Sequence, residues 1–156
     1  MDIKPIGTVL ALDLGTRMGW AFGLPGAVVS GTVDLSPSRF ESAGMRFIKL
    51  LGFLTKLHEA HPVTLIVVEE VRRHIGTTAA HVYGGLLGHM QSWAEQRNIP
   101  YTSRSVGTIK LHATGKGNAS KNAVMQAMEA RGYSPKDDNE ADALALLHCY
   151  LENILP

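Results

Sequence analysis

Two rhythms of apolar and polar positions run through the chain. The first is a short apolar run, Thr8-Val9-Leu10-Ala11-Leu12, which closes on Asp13, Leu14, Gly15 and Thr16. A run of this length bounded by turn residues predicts a buried strand, here Ile6–Leu12. Trp20–Gly23 and Ala27–Val33 read as second and third strands, with Pro25-Gly26 turning between them, so the start of the chain suggests an antiparallel meander. The rhythm then becomes helical. Ser36-Pro37-Ser38 has the form of a helix start, and Phe40, Met45, Phe47, Ile48, Leu51, Leu54 and Leu57 recur at helical spacing to about His58, before His61-Pro62 breaks the pattern.

The strand pattern returns at Val63–Val68 and again closes on carboxylates, Glu69-Glu70. A basic segment, 71–76, leads into a long predicted helix, Thr77–Gln96. Its small residues Ala79, Ala80, Gly84, Gly85 and Gly88 allow another backbone to approach, in internal packing or in a dimer seam to which Leu86, Leu87, Met90 and Trp93 lend apolar area. Ile99–Ser103 is a short last strand. Ser105 starts a short helix, 113–118 reads as loop, and Ala119-Ser120-Lys121-Asn122 opens a further helix that Gly132–Pro135 ends. A final helix begins near Asp137 or Asp138 and carries Ala141, Leu144, Ala145, Leu147, His148 and Leu151. This order predicts one α/β domain over 1–156, a mixed five-stranded sheet flanked by helices.

Composition narrows the class of partner. Hydrophobic residues make up 45% and charged residues 19% of the 156 positions, as in an ordinary globular domain. The formal net charge of +1 means that a polyanion would have to be held by a local basic patch. A single cysteine, Cys149, excludes a disulfide framework or a cysteine zinc cluster. No apolar run has membrane-spanning length and the start lacks a signal-peptide pattern, so the expected location is a cytoplasm-like, reducing compartment, with no membrane partner.

Three acidic sites carry candidate chemistry: Asp13 at the end of the first strand, Glu69 at the end of the fourth, and Asp138, Asn139 and Asp142 in the first turns of the last helix. Each alone has a plainer reading. Asp13 can open a turn with Gly15, Asp138 can cap the helix, and the glutamates can be a solvated strand end. Asp142, set among alanines and leucine, is harder to explain as surface. Helical spacing lets Asp138 or Asn139 share a face with Asp142. Hard divalent ions such as Mg²⁺ take oxygen ligands of this kind, and two ions a few ångströms apart support phosphodiester hydrolysis.

The sequence resembles the RuvC Holliday-junction resolvases of the RNase H-like superfamily. Asp13-Leu14-Gly15-Thr16-Arg17, followed by Gly19-Trp20, is similar to the family's opening motif; Ile66–Val71 is similar to its strand ending in a catalytic glutamate, at Glu69; and Ala141-Asp142-Ala143-Leu144-Ala145 is similar to its closing motif, with His148-Cys149 following. The resemblance implies an RNase H-like fold, a homodimer, Mg²⁺ or Mn²⁺ with two ions per site, and paired nicks in four-way or other branched DNA during recombination and repair. Asp13, Glu69, Asp142 and Asn139 or Asp138 would be the metal ligands. It implies that Lys121 and Lys110 lie near the phosphates, with Lys116 and Asn118 in the glycine-containing loop beside them. Two departures stand out. Asn139 occupies the position of a family Asp or His, and Arg72, beside Arg73 and His74, replaces an aromatic that wedges into the junction. Such departures in a compact chain are typical of phage-encoded relatives. Arg72, Arg73 and His74 are therefore read as DNA-binding residues. Other readings are a sugar-kinase-like phosphotransferase, for which 156 residues leave no second lobe, a resolvase-like RNA-processing nuclease, and a junction-binding protein that does not cut.

Overall fold

Strand alternation decides which side chains reach the site. The computed structural model describes residues 7–71, 73–74 and 76–154. Its elements are β1 (Val9–Asp13), β2 (Arg17–Leu24), β3 (Ala27–Asp34), α1 (Met45–Ala60), β4 (Leu65–Glu70), α2 (Thr77–Gln96), β5 (Tyr101–Ser105), α3 (Val106–Thr114), α4 (Lys121–Ala130) and α5 (Asp138–Ile154). The five strands form one sheet in the order β3-β2-β1-β4-β5. β1 to β3 make the expected antiparallel meander, whereas β1, β4 and β5 run parallel.

Side chains of a strand point to opposite faces in turn, so the sheet divides the interior into two cores. Leu10, Leu12, Ile66 and Val68 face a core completed by Leu50 and Leu54 of α1 and Leu86, Met90 and Trp93 of α2. Val9, Ala11 and Val67 face the other core, built on α5 with α3 and α4. By the same alternation Asp13 and Glu69 fall on the α5 face. α5 is buried along most of its length, at Ala141, Ala143 and every position from Leu144 to Leu147, so it reads as apolar on nearly all sides.

Several expected boundaries move. Ile6 lies outside the described residues, and β1 begins at Val9. β2 starts earlier than expected, at Arg17. α1 starts at Met45, not at Ser36. Local side chains capture the intervening backbone instead. Asp34 accepts from the Ser36 amide, Glu41 accepts from the Ser38 amide, and Lys49 Nζ donates to the Ser36 carbonyl and to Glu41, so 34–41 is a tied strap. Phe40, counted in the helical pattern, is exposed on this strap. β4 and β5 are each shifted about two residues later than expected. α3 runs through Thr114, deep into the expected loop, and Gly115 ends it at φ +84°, in the left-handed region that glycine enters without strain.

Three of the four apolar residues assigned to a dimer seam on α2 are taken up by the core, and Leu87 is only partly buried. Leu86, Met90 and Trp93 point inward and belong to the core, because they share the face of the helix that meets the sheet and α1. Gly85 answers to internal packing as well, since a Cβ there would collide with the Phe47 ring. Gly84 and Gly88 face open space.

Candidate active site

β1 and β4 pair in register up to Leu12 and Val68, and the next residue on each is acidic, Asp13 and Glu69. The sheet therefore presents two carboxylates from neighbouring parallel strands on the face that α5 covers. Asp142, one turn into α5, adds a third. Beside Glu69 and Asp142 lies a cleft of about 160 Å³, lined also by Lys110, Lys121, Val106, Ile109 and Val124. Lys110 comes from α3 and Lys121 from the first turn of α4, so two cations stand over the acids.

The electrostatics follow from this crowding. Burial, then the charges of Asp142, Glu69 and Asp138, push the Asp13 carboxyl up to about 8. Burial, then Glu69 and Asp138, raise Asp142 to about 6. Glu69 is raised by burial and drawn back by Lys110. These carboxylates oppose one another's ionisation, the condition that a bound cation relieves.

Asp138 behaves differently. Lys121 Nζ donates to it at 2.9 Å, and this bond holds its pKa below the usual carboxylate range. The helix cap is not Asp138 but Asp137, whose Oδ1 accepts from the Glu140 amide at 2.9 Å. Asn139 lies in the same turn, with its backbone carbonyl packed against Gly19 of β2.

Among the described residues no group of three or more His, Cys, Asp or Glu side chains is placed to hold a metal ion. The donor set nevertheless suits Mg²⁺ or Mn²⁺. It is all oxygen, it is over-charged without a cation, and Mg²⁺ keeps several waters and needs only one or two carboxylates directly.

The other expected DNA-binding residues are spread around this centre. Lys116 and Asn118 are exposed in the loop between α3 and α4. Arg73 lines a neighbouring groove with Glu70, Val71, Ser105, Val106 and Gly107. His74 packs its ring on Tyr83 of α2, with centroids 4.9 Å apart. Arg72 lies outside the described residues.

The sequence reading missed what holds the start of α5. Ser30 Oγ donates to Glu140 at 2.8 Å and Thr32 Oγ1 donates to Asp137 at 2.7 Å, both from the edge strand β3. Glu140 also accepts from the Lys136 amide at 2.8 Å and is only 7% exposed. Arg17 stands 3.6 Å from Asp137. Burial works against the charge of Asp137, but Thr32, the Glu140 amide and Arg17 together hold its pKa low. The Asp137-x-x-Glu140 spacing is the signal that could have flagged this cap, since it is the form of a capping box.

No family model matches the chain. Among curated proteins it is similar to three crossover junction endodeoxyribonucleases RuvC. The protein from Pseudothermotoga lettingae is 30% identical over 132 residues, 81% of this chain and 80% of that protein. Those from Anaeromyxobacter and Gloeobacter violaceus are 28% and 32% identical over 80% and 60% of this chain, and the chain spans only 61% and 55% of their lengths. Among solved structures, Thermus thermophilus RuvC in complex with a Holliday junction substrate superposes with a TM-score of 0.76 at 22% identity, covering 92% of both chains. The yeast mitochondrial Holliday junction resolvase gives 0.65 at 19% identity, over 94% of this chain and 78% of that one. These likenesses in structure establish the RNase H-like fold that the strand order already describes. With a sheet that brings Asp13 and Glu69 to one face, a closing helix that adds Asp142, and 30% identity along four-fifths of a curated member, the chain belongs to the RuvC family.

Proposed function

We propose that this protein is a metal-dependent endodeoxyribonuclease that hydrolyses phosphodiester bonds in four-way and other branched DNA. The observation that carries the reading is the meeting of Asp13, Glu69 and Asp142 from three separate elements beside Lys110 and Lys121. A solvated strand end or a plain helix cap does not account for three partly buried acids, of which Asp13 and Asp142 are pushed up by neighbouring carboxylates.

Asp13, Glu69 and Asp142 would hold Mg²⁺ or Mn²⁺, two ions per site, with the Asn139 amide oxygen or the Asp138 carboxylate, both within helical reach of Asp142, as the further donor. The metal would supply an activated water and neutralise charge on the phosphate. Lys121 has a second task. Its ammonium binds Asp138 and offsets part of that carboxylate's charge at the edge of the centre, and it lies at the cleft rim, where it can meet a phosphate oxygen on which charge develops. Lys110 moderates Glu69 in the same way. Arg73, His74, Lys116 and Asn118 would contact flanking phosphates, since a net charge of +1 gives no general attraction. Paired nicks call for two sites about a two-fold axis, hence a homodimer. The outward face of α2 at Gly84 and Gly88 allows close approach of a second copy.

Cleavage of a labelled four-way junction in Mg²⁺, beside linear duplex and single-stranded RNA, tests the reading. Junction cutting alone, abolished by EDTA, is expected. Cutting of RNA in preference would make it an RNA-processing nuclease, and tight junction binding without cutting would make it a junction-binding protein. Affinity should fall with salt at a slope of about 0.9 per duplex phosphate neutralised. A dimeric mass with junction bound is expected, and a monomer at micromolar concentration, unchanged by DNA, would remove the paired-site account. Among the described residues no helix is long and apolar enough to cross a membrane.

A further inference from the structure

β4 outruns β1. The pairing between them stops at Leu12 and Val68, while β4 continues to Glu70 against β5. Glu69 therefore sits where its strand has lost one neighbour, and its backbone is held on that stretch by a side chain from another element. Tyr83 of α2 donates its phenol proton to the Glu69 carbonyl at 2.8 Å. One hydroxyl thus holds the main chain of the residue whose carboxylate faces the metal site.

The same ring reaches further along the chain. His74 packs on Tyr83 at 4.9 Å between centroids, with the planes tilted by 46°. Tyr83 is also anchored below, where it packs on the core of Leu12, Val68 and Leu86. Arg73, between Val71 and His74 in sequence, is exposed and lines the groove next to the acidic cleft. A DNA phosphate that engages Arg73 or His74 acts on a pair of residues whose His74 ring rests on Tyr83. A displacement of that ring is passed to the Glu69 main chain through one hydrogen bond.

We infer that Tyr83 is a positioning residue that couples DNA contact at Arg73 and His74 to the placement of the Glu69 carboxylate. The inference rests on the nuclease reading above. It assigns Tyr83 no contact with substrate or metal, and it makes a part of the site's assembly depend on the DNA.

The test compares wild type with Tyr83→Phe, which keeps the ring and removes the hydroxyl, and with His74→Ala and His74→Phe. Four quantities are read: single-turnover cleavage of a four-way junction at saturating protein in Mg²⁺, junction affinity in Ca²⁺, Mn²⁺ affinity of the protein with and without bound junction, and Tm. In wild type, junction binding should tighten Mn²⁺ affinity, and by linkage the metal should tighten junction binding by the same factor. Tyr83→Phe should lose most of that tightening and cut about fivefold to tenfold more slowly, the scale of one hydrogen bond. Its Tm should stay close to wild type and its Mn²⁺ affinity without DNA should be little changed. His74→Ala should reproduce the loss at saturation, and His74→Phe, which restores a stacked ring but not the phosphate contact, should bind the junction more weakly and yet recover the metal–junction coupling. A Tyr83→Phe protein that cuts at the wild-type rate with the full metal–junction coupling overturns the inference and leaves the nuclease reading intact. So does a loss of rate that tracks a fall in Tm. A wild type that is inert on junctions overturns the nuclease reading and this inference with it.

Discussion

Gly19 of β2 lies directly beneath the Asn139 carbonyl, with no room for a Cβ between strand and helix. Backbone touches backbone here, and the obstructing atom cannot rotate away as a flexible side chain can. Gly19→Ala should force the first turn of α5 off the sheet. We expect a cost of about 1–3 kcal/mol, typical of overpacking, and a Tm lower by about 2–4 °C for each of them. Cleavage should fall further than stability, because Asn139 and Asp142 move together with the turn. A crystal structure of the variant with Asp142 unmoved would contradict this.

Asp13 is buried among like charges, which makes its ionised form costly in the metal-free protein. Asp13→Asn should therefore abolish cleavage, by several orders of magnitude, and yet raise the Tm measured in EDTA. Junction affinity in Ca²⁺ should be equal or tighter, since less negative charge faces the phosphates. Wild-type cutting by Asp13→Asn would remove Asp13 from the site.

The edge strand reaches α5 through two hydroxyls, Ser30 to Glu140 and Thr32 to Asp137. Thr32→Val keeps the shape and removes one bond, while Asp137 retains Arg17 and its role as cap. The expected result is a small loss of stability, about 1 kcal/mol. Ser30→Ala/Thr32→Val should in addition weaken Mn²⁺ binding by roughly threefold to tenfold, as loss of an outer support does at metal sites. Calorimetric Mn²⁺ titration of the DNA-free protein checks it, and an unchanged affinity would make the two bonds purely structural.

At the far end of α5, Arg131 hydrogen-bonds both oxygens of Glu152, with His112 a further partner. The Arg131 bonds, against some burial and with help from His112, hold Glu152 at about 2, below its ordinary 4.5. The folded pKa is depressed, so the stabilisation is present above pH 4.5 and is lost as the pH falls toward 2. Glu152→Gln should lower Tm at pH 7, and the gap to wild type should close between those two limits. A gap that is the same at pH 3 and pH 7 would assign the effect to packing.

The parts of the site that lie on a strong local rhythm were legible in the sequence. Asp13 and Glu69 close apolar runs, and Asp142 interrupts an apolar helix. Their convergence was readable only through family resemblance, because register between β1 and β4 is a long-range property. The support behind them was hidden for the same reason. Ser30 and Glu140 are 110 residues apart, and no local pattern in β3 announces an acidic partner. The start of α1 was misread because Ser36-Pro37-Ser38 satisfies a local rule that Asp34, Glu41 and Lys49 override. On α2 the apolar positions were seen, but not which face they occupy, so core residues were assigned to a seam.

The burial of α5 also sets which changes in chain length the protein can absorb. The helix is pinned at Glu140 near one end and at Glu152 near the other, twelve residues on, and an α-helix advances about 1.5 Å and turns about 100° per residue. Adding or deleting one residue between the pins turns one anchor about a quarter of a revolution away from its partner. Placed before Asp142, the same change swings that carboxylate off the face shared with Asp13. The loop at 115–118 is exposed and lies outside both pins. Length variation is therefore open to the segment that carries Lys116 and Asn118 and closed to the helix that carries Asp142, so the reach of the cationic loop can drift while the phase of the acidic centre stays locked.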